Sequence, residues 1–204
     1  MKPAVPRDEI DIQRAENYDV LARLLASAPD AEVLTVLADV QGDASDLGRA
    51  WAGLARAATE ASPRSTEREF FDLFIGVGRG ELLPYASFYI TGFLNERPLA
   101  ELRGDLAALG ITRQSDDHDP EDRIAMLCAV MAAYARGQFD ALEDAPAEAE
   151  FFARHLAPWA GLFFEDLAAA PAARFYAALA QVGRAFTDIK IRAFALAAQG
   201  SDAA

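Results

Sequence analysis

The side chains that most often carry out chemistry in proteins are scarce in this sequence. It has two histidines, His118 and His155, and one cysteine, Cys128. His118 lies in an acidic loop, and His155 lies on an apolar helix face, where a histidine is more often a hydrogen-bonded core residue than a ligand. Cys128 shares an apolar helical stripe with its neighbours, so we expect a buried structural thiol and no nucleophile. No catalytic residue is predicted.

Metal and phosphate sites are also not predicted. A helical di-iron centre needs inward glutamates and Glu-x-x-His pairs, whereas Glu150 and His155 are too far apart in register and point to different faces. The glycine string at residues 76–80 follows a predicted helix and lacks the lysine of a Walker loop. We therefore expect no metal and no cofactor, and we interpret the glycines as a tight connector. Whether a nucleotide binds stays open.

The charge balance restricts the partners. The chain of 204 residues has 19 basic and 32 acidic residues, for a net charge of −13. This charge repels nucleic acid and favours a basic partner such as an arginine-bearing peptide, although solubility alone explains it as well. Catalysis would have to rely on carboxylates, so we expect no enzyme.

The predicted location is the cytoplasm. Residues 1–12 do not show a charged start followed by an apolar region, and no run approaches about 18 uninterrupted apolar residues. A single cysteine is compatible with a reducing compartment. Neither export nor membrane insertion is expected.

Apolar residues recur at helical spacing along most of the chain, which predicts an all-α bundle of roughly eight to ten helices. We expect a single domain over residues 1–204, with frayed ends at 1–8 and 199–204. The segment 76–95 is predicted to be the least regular, and Pro158 to separate two short helices. The predicted helices are 10–25, 31–40, 46–61, one from a capping box at Thr66–Glu69, one from Pro98 to a cap at Gly110, one with Asp119 as N-cap and Pro120 at its first position, two within 147–168, and a long one from Phe175.

An aromatic cluster spans the predicted fourth helix and the irregular segment behind it. Its residues either line a groove or fill a core, and the spacing favours neither. A groove with an acidic edge would suit a peptide with basic and apolar parts. The aromatic residues are Phe70, Phe71, Phe74, Tyr85, Phe88 and Tyr89, and the acidic edge is Glu81, Glu121 and Asp122.

Four short motifs in order resemble one family. Residues 69–78 read EFFDLFIGVG, residues 84–89 read PYASFY, residues 120–125 read PEDRIA, and residues 155–159 read HLAPW. Over about residues 18–186 the chain resembles the TorD/DmsD/NarJ family of redox-enzyme maturation chaperones. It departs from the family at Val77, often a proline there, and at Arg123, usually a histidine, which puts a histidine-dependent role at that position in doubt.

The resemblance implies an all-helical chaperone without catalytic activity. Its expected partners are the twin-arginine leader and the apo-form of a molybdoenzyme catalytic subunit, which it would protect during cofactor insertion and proofread before export. Carried over to this chain, the leader-binding candidates are Tyr18, Phe70, Leu73, Phe74, Tyr85, Ser87, Tyr89, Glu121, Asp122 and Arg123.

The role of Asp122 has two interpretations. With Glu121 it would pair with leader arginines, whose forked donors suit carboxylates. Alternatively, Asp122 merely stabilises the N-terminus of its own predicted helix.

Two other functions remain open. A NarJ-like chaperone would hold a subunit that is never exported, and a small-molecule-binding helical regulator would use the aromatic groove as a pocket. The sequence does not distinguish a monomer from a homodimer or a swapped dimer.

Overall fold

A computed structural model describes residues 7–112, 119–142 and 145–201. Over these ranges the chain is helical, without β-strands, and an isolated antiparallel bridge joins Tyr85 to Arg123. The all-α prediction is confirmed. The helices are α1 (Glu9–Ala26), α2 (Ala31–Ala38), α3 (Asp46–Glu60), α4 (Pro63–Phe70), a π-helical segment (Phe71–Ile75), α5 (Ala86–Thr91), α6 (Arg97–Ala108), α7 (Ile124–Ala135), α8 (Glu148–His155), α9 (Ala160–Ala169) and α10 (Phe175–Ser201).

The chain divides into two compact units, each built from two separate stretches. The first unit comprises Met1–Ala26 and Pro84–Trp159, and the second comprises Ser27–Leu83 and Ala160–Ala204. The chain therefore passes from one unit to the other three times. The expectation of a single domain stays a prediction.

In the first unit α1 packs against α7. The residues of α7 are apolar on every face, and most of them are buried. α1 contributes residues at intervals of three and four, among them Ala15, Tyr18, Leu21 and Leu25, which are all buried. This pair of helices supports the loop and the short helix described below.

The predicted ends of α6 are confirmed. Pro98 lies in the first turn, where its missing N–H costs nothing. Gly110 has φ of 72°, and the next residue, Ile111, donates its N–H to Leu106 O at 2.9 Å, which closes the helix.

In the second unit α10 packs against α9 and α3. Its 27 residues correspond to about 40 Å at 1.5 Å per residue, as the spacing predicts. Gly183 permits the close approach of α9, because a Cβ at this position would lie 2.2 Å from the Phe164 ring. The predicted division into two helices around Pro158 is also confirmed.

The predicted capping box at Thr66 and Glu69 is wrong. α4 begins at Pro63, with Ser62 as the N-cap and Ser65 completing a reciprocal pair of hydrogen bonds. A serine followed by proline at the first helical position is a strong start, and it precedes the predicted one by four residues. Thr66 is buried inside the helix.

The predicted start of α7 at Asp119 and Pro120 is also wrong. The helix begins at Ile124, because the preceding backbone bonds to another segment. Ala86 donates its N–H to Asp122 O at 3.0 Å, and Ile124 donates its own to Pro84 O at 2.9 Å. These two bonds hold residues 120–123 outside the helix.

One further expectation needs correction. The irregular stretch 76–95 contains α5, which the sequence did not predict, although Gly76 has φ of 60° and no room for a Cβ, as a connector requires. The expectation of frayed ends at 1–8 and 199–204 stays a prediction. Asp8 caps α1 by accepting the Asp11 N–H at 2.9 Å, and α10 continues to Ser201. Residues 1–6, 202–204 and His118 lie outside the described residues.

Candidate functional site

The segment 119–123 is held against the start of α5 in the first unit. Asp122 is fully buried, and its Oδ2 accepts the backbone N–H of Ser87 at 2.7 Å. Ser87 is the second residue of α5, and Tyr85, which precedes that helix, provides no side-chain cap. The Asp122 carboxylate therefore replaces the missing cap and neutralises the positive end of the helix.

Polar atoms beside this cap lack hydrogen-bond partners within the described part of the chain. They are Oδ1 of Asp122, Oγ of Ser87 and Nε of Arg123, and all three atoms are buried. A buried polar atom without a partner costs about 1–3 kcal/mol. Such atoms are uncommon in native structures, and they draw attention to this segment as a functional one.

Two arginine–carboxylate pairs flank Asp122 in the chain. Arg103 of α6 donates from Nε to both oxygens of Glu121 at 3.1 Å, and from Nη2 to Oε2 at 2.8 Å. Arg123 donates from Nη1 to Asp119 Oδ2 at 2.7 Å and from Nη2 to Leu25 O at 3.1 Å. The hydrogen bonds with Glu121 raise the pKa of Arg103. The carboxylates of Glu121 and Asp119 are thus held by guanidinium groups of the same unit.

Tyr85 joins this network. Its hydroxyl donates to Asp119 Oδ1 at 3.3 Å. Burial, followed by the negative charge of Asp119, raises the pKa of the Tyr85 phenol, so it stays a neutral donor near pH 7.

The arginine–carboxylate pairs lie at a cavity of about 820 Å³ formed by α1, α6, α7 and the loop residues beside them, all in the first unit. Among the described residues, the charged lining comprises the two pairs and Arg23. The volume is in the range of ligand-binding clefts, which are commonly apolar with a few polar groups. Its apolar lining includes Ala22, Leu106, Ala107, Ile111, Ala125 and Met126.

The aromatic candidates divide between the two units. In the second unit, the half-buried Phe74 ring contacts the rings of Phe70 and Tyr176 at centroid distances of 5.1 and 5.5 Å. In the first, Tyr89 contacts Phe88 at 5.9 Å and Trp159 at 5.3 Å.

The burial of these rings is mixed: Phe70 is buried, Phe71 is exposed, and Phe74, Tyr85, Phe88 and Tyr89 are intermediate. The choice between groove and core therefore stays open.

The remaining candidates are placed as follows. Tyr18 and Leu73 lie in the cores of the first and second units, and burial raises the pKa of the Tyr18 phenol. Tyr85, Ser87, Glu121, Asp122 and Arg123 come together around the segment 119–123. Glu81, expected beside Glu121 and Asp122, belongs to the second unit, where it accepts the Ala172 N–H at 3.3 Å.

Sequence reasoning missed the role of Glu69. This residue is buried, and its carboxylate accepts backbone N–H groups at the start of α10: Arg174 and Tyr176 at 2.7 Å each, and Phe175 at 3.2 Å. The sequence before α10 offers no serine, threonine or aspartate as an N-cap. That gap is a signal in the sequence, although it does not identify an acceptor about a hundred residues away.

The expectations for the two chemically reactive side chains are confirmed. His155 is buried with Nε2 at 2.6 Å from Asp105 Oδ2, and burial lowers the pKa of its imidazole. Cys128 is buried, and burial raises the pKa of its thiol to about 12. In the described ranges no cluster of three or more histidine, cysteine or acidic residues could hold a metal ion. No described helix is both long and apolar enough to cross a membrane.

Comparison with known proteins gives consistent matches. The family model described as "Nitrate reductase delta subunit" matches residues 41–165. A "Chaperone protein TorD" of Vibrio cholerae is 30% identical over 195 residues, covering 85% of this chain and 88% of that protein. A "Chaperone protein TorD" of Shewanella loihica is 26% identical, covering 94% and 98%.

A solved structure shares the fold. It is a putative redox enzyme maturation protein from Archaeoglobus fulgidus, with a TM-score of 0.56 and 15% identity, covering 92% of this chain and 99% of that one. The resemblance identified from the four motifs is confirmed. The named relatives are chaperones, which confirms the expectation of a chaperone rather than an enzyme.

Proposed function

Because the chain belongs to the nitrate reductase delta subunit family, we propose that it binds the twin-arginine leader and the apo-form of a molybdoenzyme in the cytoplasm. It holds the catalytic subunit while the cofactor is inserted and delays export until the subunit is complete. The observation that carries this proposal is the cavity of the first unit, which combines apolar walls with the carboxylates of Glu121 and Asp119.

The charged lining suits the leader arginines. A guanidinium group presents a planar fork of donors that matches a carboxylate, and such charged hydrogen bonds exceed neutral ones in strength. Glu121 already accepts such a fork from Arg103, so its geometry is suitable for arginine. The net charge of −13 adds a long-range attraction for a basic peptide.

The apolar lining suits the other part of the leader. Side chains of α1, α6 and α7 offer alanine, leucine, isoleucine and methionine surfaces, which accept apolar side chains of varied shape. Tyr85 and Tyr89 add half-buried aromatic surface in the same unit. By resemblance, Tyr18, Phe70, Leu73 and Phe74 are also proposed to contribute to leader binding.

Within this proposal Asp122 and Arg123 have supporting roles. Asp122 is completely buried and fixes the start of α5. It therefore positions its neighbour Glu121, and in this conformation its own carboxylate is not accessible to a leader arginine. Arg123 ties the segment to the end of α1 through Leu25 O. Direct contact of either residue with the leader requires the segment 119–123 to move.

Titration calorimetry tests the proposal. The purified chain is titrated with leader peptides from molybdoenzymes of the same genome, and twin-lysine versions of the peptides serve as controls. We expect micromolar or tighter binding for one twin-arginine leader and weaker binding for its twin-lysine version. Failure to bind any leader or apo-subunit would contradict the proposal and favour a pocket for a small molecule.

A second function within the family is assembly of a subunit that stays in the cytoplasm. The observation in its favour is the match to a family described as a nitrate reductase subunit. Binding of a catalytic subunit from which the leader has been deleted distinguishes the two functions. Retained affinity favours this second function, and lost affinity favours leader recognition.

A further inference from the structure

The carboxylates at the cavity already hold arginines that belong to this chain. Arg103 and Arg123 line the same cavity as Glu121 and Asp119, and each arginine donates to one of those carboxylates. We propose that Arg103 occupies, in the free protein, the position on Glu121 that an arginine of the leader takes on binding, and that the leader displaces it. This inference rests on the proposed function and concerns the regulation of the same site.

The exposure of the first pair supports displacement. The Glu121 side chain is 13% exposed, whereas the Arg103 side chain that covers it is 48% exposed. The carboxylate is therefore shielded by a guanidinium group that itself has access to solvent. Arg103 can rotate into water while another guanidinium takes its place, so the carboxylate does not lose a partner.

The second pair is held more firmly. Arg123 is anchored twice, to Asp119 Oδ2 and to Leu25 O, and its side chain is 19% exposed. Asp119 is 51% exposed and also accepts from Tyr85. Arg103 is therefore the residue that competes directly with the leader.

Competition of this kind lowers the apparent affinity of the site for any leader. A partly exposed ion pair shifts an equilibrium by about fivefold at most, so Arg103 lowers the apparent leader affinity by a similar factor. A leader arginine restores the fork on Glu121, whereas a leader lysine provides a single ammonium group. Because Arg103 must leave Glu121 before either peptide binds there, it lowers both affinities by the same factor, and the preference for arginine comes from the carboxylate itself.

The test compares the intact chain with Arg103→Gln by calorimetry, using a twin-arginine leader peptide and its twin-lysine version. We expect Arg103→Gln to bind the twin-arginine leader about threefold to fivefold more tightly than the native chain. We also expect the ratio of the affinities for the two peptides to stay unchanged, because both peptides displace the same residue. Arg103→Lys keeps the charge without the fork and should lie between the native chain and Arg103→Gln.

The matched control is Arg97→Gln. Arg97 lies on the same helix and pairs with Glu101, away from the residues that line the cavity. This variant removes the same charge, so an equal gain in affinity would mean that net charge alone is responsible and would overturn the inference. Thermal melting of each variant shows that it is folded.

The outcomes separate this inference from the proposed function. If the native chain binds the leader and Arg103→Gln binds it equally or more weakly while melting normally, the displacement of Arg103 is refuted and leader binding stands. If neither protein binds the leader, both proposals fail.

Discussion

Two buried carboxylates, one in each unit, hold the start of a helix that is distant in the chain. In the second unit Glu69 uses both oxygens to accept three N–H groups at the start of α10, which has 27 residues. In the first unit Asp122 accepts the Ser87 N–H through Oδ2 at the start of α5, which has 6 residues, and its Oδ1 has no partner among the described residues.

The contrast distinguishes a carboxylate that only stabilises the fold, Glu69, from one that lies at a functional site, Asp122. A fully paired carboxylate contributes stability, whereas a partly paired one retains an unsatisfied charge, at a cost. Native chains accept such costs mainly at functional sites. The unsatisfied atoms of Asp122, Ser87 and Arg123 lie beside the two arginine–carboxylate pairs at the cavity, so the comparison points to the segment 119–123 rather than to Glu69.

Removal of the fully paired Glu69 carboxylate should have the largest effect on stability. Glu69→Ala leaves N–H groups at the start of α10 without their acceptor, and we expect a loss of about 3 kcal/mol in the free energy of unfolding. Urea denaturation measures it. Glu67→Ala on the exposed face of α4 is the control and should change little. A loss of less than about 0.5 kcal/mol for Glu69→Ala, which is typical of a surface substitution, would contradict the stabilising role assigned to Glu69.

Removal of the partly paired Asp122 carboxylate should destabilise the chain less. Asp122→Ala deletes one cap of a short helix, and it also removes an unsatisfied oxygen, so we expect a loss of about 1–2 kcal/mol. Asp122→Asn retains an acceptor for the Ser87 N–H and should recover part of the loss. If Asp122→Ala proves as destabilising as Glu69→Ala in the same urea experiment, the distinction between the two carboxylates disappears.

A smaller effect concerns acid sensitivity in the first unit. Burial lowers the pKa of His155 in the folded chain. Below the unfolded-state pKa of about 6.5, the unfolded chain therefore binds more protons than the folded chain, and stability decreases as the pH is lowered. His155→Gln removes this contribution. The difference in unfolding free energy between the native chain and the variant should therefore shrink between about pH 7.5 and pH 5. A difference that grows at low pH would mean that Asp105 stabilises a charged His155.

The helices themselves were largely predictable, because their signals are local. The leucine spacing of α6 with Pro98 and Gly110, and the long apolar stripe of α10, specify their own elements. The starts of α4 and α7 were predicted wrongly for different reasons. Ser62 with Pro63 is a local signal of a helix start. In contrast, α7 starts late because the backbone of Asp122 and Ile124 bonds to residues 36 and 40 positions earlier.

The candidate site was less predictable for the same physical reason. Motif resemblance brought together Tyr85, Ser87, Glu121, Asp122 and Arg123, which the structure places around one segment. It did not indicate that Arg103 holds Glu121 or that Glu69 caps α10, since these bonds join residues 18 and more than 100 positions apart. Spacing along the chain carries no information on such pairs.

The most direct test of leader binding at the first unit is the affinity of Glu121→Gln for a twin-arginine leader that the native chain binds, measured by calorimetry. We expect affinity to fall about tenfold, because a charged acceptor for a guanidinium fork is replaced by a neutral amide. Glu101→Gln, on the exposed face of α6, should bind as the native chain does. Native affinity in a normally melting Glu121→Gln would contradict recognition of the leader at this cavity.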